Sequence, residues 1–135
     1  MPANSVIPFQ VAGVEGVIFA SASRIVAAYT SNPIVNTSWR GVRIFTSNDA
    51  AGGSTATAKI QIMAPDSGVW IDVAGAATAA LGSTTGSIIT VYPGLTGIAD
   101  AAGVTINQHL GPIWRVVLTI AVATGTSSVS GHYLL

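Results

Sequence analysis

Along Thr55-Ala56-Thr57-Ala58-Lys59-Ile60-Gln61-Ile62 every even position is apolar and every odd one polar. A period of two places one face of a strand in the core and the other in water. A second run, Trp114 to Val122, puts Trp114, Val116, Leu118, Ile120 and Val122 on one face and Arg115, Val117, Thr119 and Ala121 on the other. The first five are predicted to line the main core. Their lighter, mixed opposite face predicts a central strand covered on both sides. Shorter runs of the same kind predict strands over 16–22, 25–30, 39–46, 69–74, 87–92 and 128–134.

Turn residues separate these runs: Ser31-Asn32-Pro33, the stretch 47–54, Pro65-Asp66-Ser67-Gly68, Pro93-Gly94 and 125–127. Strands spaced about 8–12 residues apart and punctuated in this way predict an all-β fold, an antiparallel, jelly-roll-like β-sandwich. The alanine-rich stretch 74–81 is read as an edge strand, because Gly75 and Gly82 bracket it and no helix cap precedes it. Residues 97–112 read as a long ordered connection with one short strand at 103–106. Residues 1–14 hold Pro2, Pro8 and the apolar set Val6, Ile7, Phe9 and Val11. Two readings stay open for them: an extended arm lying on a neighbouring subunit, or an ordinary first edge strand.

Val, Ile and Thr make up about a third of the 135 residues, which suits pleated surfaces. The length fits a single domain, 1–135. Only 7% of residues are charged, where about 25% is usual, and the formal net charge is zero. Five scattered charges of each sign build neither a basic nor an acidic patch, so no nucleic-acid partner is expected. A surface with so few charges predicts burial of part of it in an assembly. Cysteine is absent, which removes disulfides, thiolate metal sites and cysteine nucleophiles. No run approaches the ~18–20 apolar residues of a membrane span. Ala20-Ser21-Ala22 resembles a signal-peptidase site, but no basic region precedes it and Glu15 interrupts the apolar stretch, so no cleaved signal is expected.

Candidate chemistry is sparse. His109 and His132 match no metal spacing, and the Gly-x-Ser-x-Gly elbow of a serine hydrolase is missing. Asp66 is expected to bond backbone amides in its own turn, and Asp66 with Asp72 lacks the cleft a glycosidase pair needs. Gly52-Gly53 has no phosphate-loop lysine and reads as a hairpin loop. Asn36-Thr37-Ser38 matches a glycosylation acceptor by chance. Trp70 beside Asp72 is the best exposed aromatic platform, while Trp114 reads as core. Arg40, Arg43 and Arg115 lie among apolar residues and are expected to meet carboxylates or carbonyls at subunit contacts. No catalytic residue, metal or cofactor is expected, and an enzyme is not.

Ile89-Thr90-Val91-Tyr92-Pro93-Gly94-Leu95-Thr96, followed by Trp114-Arg115-Val116, resembles a family of small virion structural proteins of tailed bacteriophages. The order of motifs adds to this: Arg40-Gly41-Val42, a Gly-rich loop, Lys59-Ile60-Gln61, then Pro65-Asp66-Ser67-Gly68 ahead of Trp70. The likeness covers about residues 38–122. It implies a particle component, first of all a capsid decoration (cement) protein. Such a protein sits as a homo-oligomer, a trimer by preference, on the outer capsid surface and binds the major capsid protein. Its contact residues are expected among Val6, Ile7, Phe9, Val11, Arg40, Arg43 and Trp70. A tail or baseplate component is one alternative. A carbohydrate-binding module using Trp70 or Tyr133 is the other.

Overall fold

The structure is a computed structural model that describes residues 7–8, 10–11, 14–36, 39–49, 53–82, 85–94 and 103–134. In chain order the strands are β1 (Ile7–Pro8), β2 (Gln10–Val11), β3 (Val14–Glu15), β4 (Val17–Arg24), β5 (Ala27–Thr30), β6 (Ile34–Val35) and β7 (Gly41–Asp49). They continue with β8 (Thr55–Met63), β9 (Trp70–Ala77), β10 (Thr85–Val91), β11 (Gly103–Ile106), β12 (Ile113–Ala121) and β13 (Gly125–Leu134). No helix occurs among the described residues.

One sheet runs β1-β13-β7-β10-β11, with β4 on the same side of β13 as β1. The other runs β5-β12-β8-β9, with β6 beside β5 on β12. A small hairpin pairs β2 with β3. Set aside the short strands, and the sheets read β4-β13-β7-β10 and β5-β12-β8-β9. From β4 on, most connections cross from one sheet to the other. That interleaving is the jelly roll, in which two Greek keys close over one core.

The inner faces follow the alternation. Val42, Ile44, Ile60, Ile89, Val91, Trp114, Val116, Leu118 and Val129 are fully buried. Near the β12–β13 turn the interior becomes polar. There Asn48 Nδ2 donates to the carbonyls of Leu81 (3.0 Å) and Ser54 (3.3 Å), tying the 54 and 81 loops to β7. At the other end an aromatic knot closes the sandwich. Tyr133 stacks on Trp39 at 5.8 Å and meets Trp114 edge-on at 6.1 Å. Its hydroxyl accepts from Trp114 Nε1 (3.3 Å) and donates to the Val35 carbonyl (2.9 Å). Burial raises the Tyr133 pKa above the ordinary phenol value.

Several expectations need correction. Val122 is 77% exposed and belongs to no core face. Its strand ends at Ala121, and Ala123 N–H donates to Ala121 O (2.9 Å), so Val122 is the centre of a three-residue turn with φ 72°. This is the strained γ-turn, and in it a β-branched side chain is turned out to solvent. The glycine-rich connection around Gly52-Gly53 does not close a hairpin: β7, which includes residues 47–49, pairs with β10 and β13 while β8 pairs with β9 and β12, so the chain crosses between sheets here. The sandwich is not wholly antiparallel either, since β11 joins β10 in parallel. Gly103 permits it, because any Cβ there would strike the backbone of Ile88.

Other expectations meet the structure directly. The strand at 103–106 is present, and the alanine-rich stretch extends β9, which among the described strands pairs with β8 alone. Gly75 (φ 79°) lies where the β8–β9 register slips, the position of a bulge. In the N-terminal segment, Ile7↔Tyr133 and Pro8↔His132 pair at the sheet edge, where a proline is tolerated. Val11 pairs with Val14, and Val6 and Phe9 lie outside the described residues.

Two substitutions check this account. Leu118→Ala, at a fully buried position, is expected to cost about 2–5 kcal/mol in denaturant unfolding. Val122→Gly is expected to leave stability unchanged or raise it by about 1 kcal/mol, because glycine accepts positive φ without strain. A loss of stability on that second change would contradict the strained turn.

Candidate functional site

Charged side chains on the outer face of the β12 sheet are bonded to one another. The register sets Arg115, Gln61 and Asp72 in one row across β12, β8 and β9. Arg115 Nε donates to Gln61 Oε1 (2.8 Å), and Gln61 Nε2 donates to Asp72 Oδ1 (2.7 Å). Lys59 Nζ reaches Asp72 Oδ2 at 3.1 Å. The Arg115 guanidinium lies 4.1 Å from the centre of the Trp70 ring, so a cation covers the aromatic platform. Hydrogen bonds from Gln61 and then Lys59 hold the Asp72 pKa below its ordinary value. A carboxylate kept anionic in this way is no general acid. The network pairs Lys59 with Asp72 and holds Arg115 between an amide and a ring.

On the opposite outer face, that of the β13 sheet, successive rows carry Ser128–Ser47–Gly86, Ser130–Phe45–Ile88 and His132–Arg43–Thr90. The hydroxyls of Ser47 and Ser128 share a 2.6 Å hydrogen bond. Three shallow concavities of about 430, 360 and 300 Å³ run into one another here through the shared residues Ser47, Gly86, Phe45 and Ser130. Phe45 has the Arg43 guanidinium 5.7 Å and the His132 ring 5.6 Å from its centre. Burial, and then the charge of Arg43, lower the His132 pKa below 6.5.

Apolar side chains are exposed at both ends of the sandwich. Ile120↔Ala27 and Gly125↔Arg24 bring the β4–β5 and β12–β13 turns together, so Ile25 and Val26 stand with Val122 at one end. They are 67%, 55% and 77% exposed. Among the described residues Arg24 braces this end without a carboxylate. It donates to the carbonyls of Ala20 (2.7 Å) and Ser127, and it lies over the rings of Phe19 and Tyr29. Val35, Val69 and Ile71 are exposed at the other end, around the Trp114 row.

The sequence candidates therefore scatter. Arg43 and Trp70 lie on opposite outer faces, and Arg40 sits near the aromatic knot. Tyr133 is only 7% exposed and belongs to the core, so it offers no sugar platform. In the Pro65–Gly68 turn the side chain bonded to a backbone amide is Ser67, to Val69 N–H, rather than Asp66. Ile25, Val26 and Val122 went unremarked as surface because each sits at a strand end, where alternation stops reporting which way a side chain faces. Among the described residues no three His, Cys, Asp or Glu side chains converge as metal ligands.

No protein-family model and no curated protein matches the sequence. Among solved structures, a chain in the structure of infectious bursal disease virus, Gx strain, aligns over 98% of this chain with a TM-score of 0.50 and 16% identity. A chain from the Gt strain of that virus aligns over 98% with a TM-score of 0.48 and 14% identity. The protein spans 37% of the length of each. With the Gx-strain chain, what is shared is the fold.

His132 gives this surface a measurable pH response. Its folded-state pKa lies below the unfolded value, so the unfolded chain takes up the proton first as pH falls. Stability is expected to decline below about pH 6.5 and to level off once the folded protein is also protonated. His132→Gln is expected to flatten the part of the decline that belongs to this residue, read as unfolding midpoints between about pH 7.5 and 5.5.

Proposed function

We propose that this protein is a non-enzymatic structural component of a virus particle, and specifically a decoration protein of a tailed-bacteriophage head. In this reading it binds the outer surface of the major capsid protein shell as a homo-oligomer, a trimer on the family resemblance. The observation that carries the proposal is the character of the exterior. The charges of Lys59, Asp72 and Arg115 are spent on one another and on Gln61 and Trp70, while Ile25, Val26 and Val122 at one end and Val35, Val69 and Ile71 at the other stand in solvent. Such surface suits contact with several neighbours better than life as a free monomer. The jelly roll, a fold that viral shells use widely, supports the same reading. No arrangement among the described residues joins a nucleophile, a base and an anion-stabilising group, so nothing favours catalysis.

The test is co-sedimentation of purified protein with heads that lack it, together with light scattering of the free protein. Binding to heads and a concentration-stable oligomer are expected. Ile25→Asp with Val122→Asp, or Val35→Asp with Ile71→Asp, is expected to weaken head binding at least about tenfold in one of the two pairs, with folding intact. A monomer that binds no head, or that binds isolated tails instead, would contradict the proposal.

A further inference from the structure

Two loops meet beside the aromatic knot, and one side chain fixes how they meet. Asn36 Nδ2 donates to the carbonyls of Trp39 (2.9 Å) and Gly111 (3.0 Å), while its Oδ1 accepts from Trp39 N–H (2.9 Å). Its own backbone N–H donates to Pro112 O (2.8 Å). The loop entering β7 is thereby locked to the loop entering β12. Trp39 is held in addition by its stack on Tyr133. A cleft of about 320 Å³ lies between the loops. Buried Leu110 and half-buried Trp39 give it apolar lining, and the exposed side chains of Arg40 and His109 give it nitrogen donors.

Arg40 differs from the other arginines. Arg24 is held by carbonyls and rings, Arg43 lies over Phe45, and Arg115 is shared between Gln61 and Trp70. The guanidinium of Arg40 has no hydrogen bond, ion pair or ring contact among the described residues; its one described bond is from its backbone N–H to Leu134 O (3.2 Å). It is therefore a cationic, forked donor with no side-chain partner among the described residues, whereas Arg24, Arg43 and Arg115 lie against carbonyls, an amide or aromatic rings, and it stands on a cleft whose two loops Asn36 ties together.

We propose that this cleft binds a carboxylate presented by a partner protein, an Asp or Glu side chain. Its two oxygens lie on the Arg40 fork, His109 adds an N–H donor, and the methylene stem rests on Leu110 and Trp39. The volume admits a side chain, and a single arginine matches one carboxylate charge. The identity of the partner rests on the reading of the protein as a head-docking component, whereas the existence of the site does not.

Titration of the free protein with a hexaglutamate peptide tests the cleft, followed through the Trp39 indole N–H and Arg40 Nε–H resonances. Hexaglutamine and inorganic phosphate serve as controls. Saturable shifts at both groups are expected with hexaglutamate, none with hexaglutamine and weaker ones with phosphate. Arg40→Ala is expected to lower the affinity about tenfold or more with an unchanged unfolding midpoint, and Arg40→Lys to recover only part of it, since lysine lacks the fork. No shift with hexaglutamate, equal shifts in Arg40→Ala, or phosphate shifts as strong as those of the peptide would overturn the proposal. No particle enters this experiment, so its failure would remove the cleft and leave head docking standing. Saturable binding by a protein that never attaches to heads would keep the cleft and remove the docking reading.

Discussion

The two middle strands of the sandwich, β12 and β13, are consecutive in the chain yet belong to opposite sheets. Everything else is organised around that connection. A turn this short must send the chain from one layer to the next, and the centre of the turn is Val122 with φ 72°. Left-handed backbone at a β-branched residue costs on the order of 1–3 kcal/mol, and such strain persists only where the surrounding structure holds it in place. Here the ladders to β8 on one side and β7 on the other hold it. At the far end, Trp114 of β12 and Tyr133 of β13 meet through a hydrogen bond and ring contacts, so the same two strands are clamped at both ends.

This arrangement explains where the exposed apolar residues lie. The β4–β5 and β12–β13 connections are short and meet at one end of the sandwich, and there Ile25, Val26 and Val122 are turned outward together. The flat outer faces follow a different rule: the few charges there are engaged by neighbours in the register, as Asp72 is by Gln61 and Lys59. An exposed ion pair of this kind contributes only about 0–1 kcal/mol to folding. Its larger effect is to fix the charged side chains of this face against one another and against Gln61 and Trp70. Arg40 stands apart because no such neighbour engages its guanidinium among the described residues.

The strands were legible because alternation reports directly which side of a sheet is dry. That holds for 55–62 and for Trp114 through Ile120, and it fails at Val122, where the strand has ended and the pattern continues by coincidence. The 47–54 stretch shows a second limit. Gly and Asn announce a turn, but whether the turn joins neighbours in one sheet or crosses to the other depends on pairings that lie far away in sequence. The parallel pairing of β11 was hidden for the same reason. Tyr133 alternates correctly with Val129, yet only the fold reveals that its hydroxyl has two buried-side partners and leaves no platform for a sugar. Asn36 drew notice only as a chance glycosylation match, because its four hydrogen bonds reach loops up to 76 residues distant along the chain, at Pro112.

The jelly roll is a scaffold on which many functions are built, so fold alone decides little about role. What decides is which surfaces are covered when the protein is in place. Image reconstruction of the intact particle measures this most directly. The account predicts density for this sandwich on the outside of the head, with one of its apolar ends buried against the shell. Density in the tail, or a sandwich whose two apolar ends both remain in solvent on the particle, would contradict it.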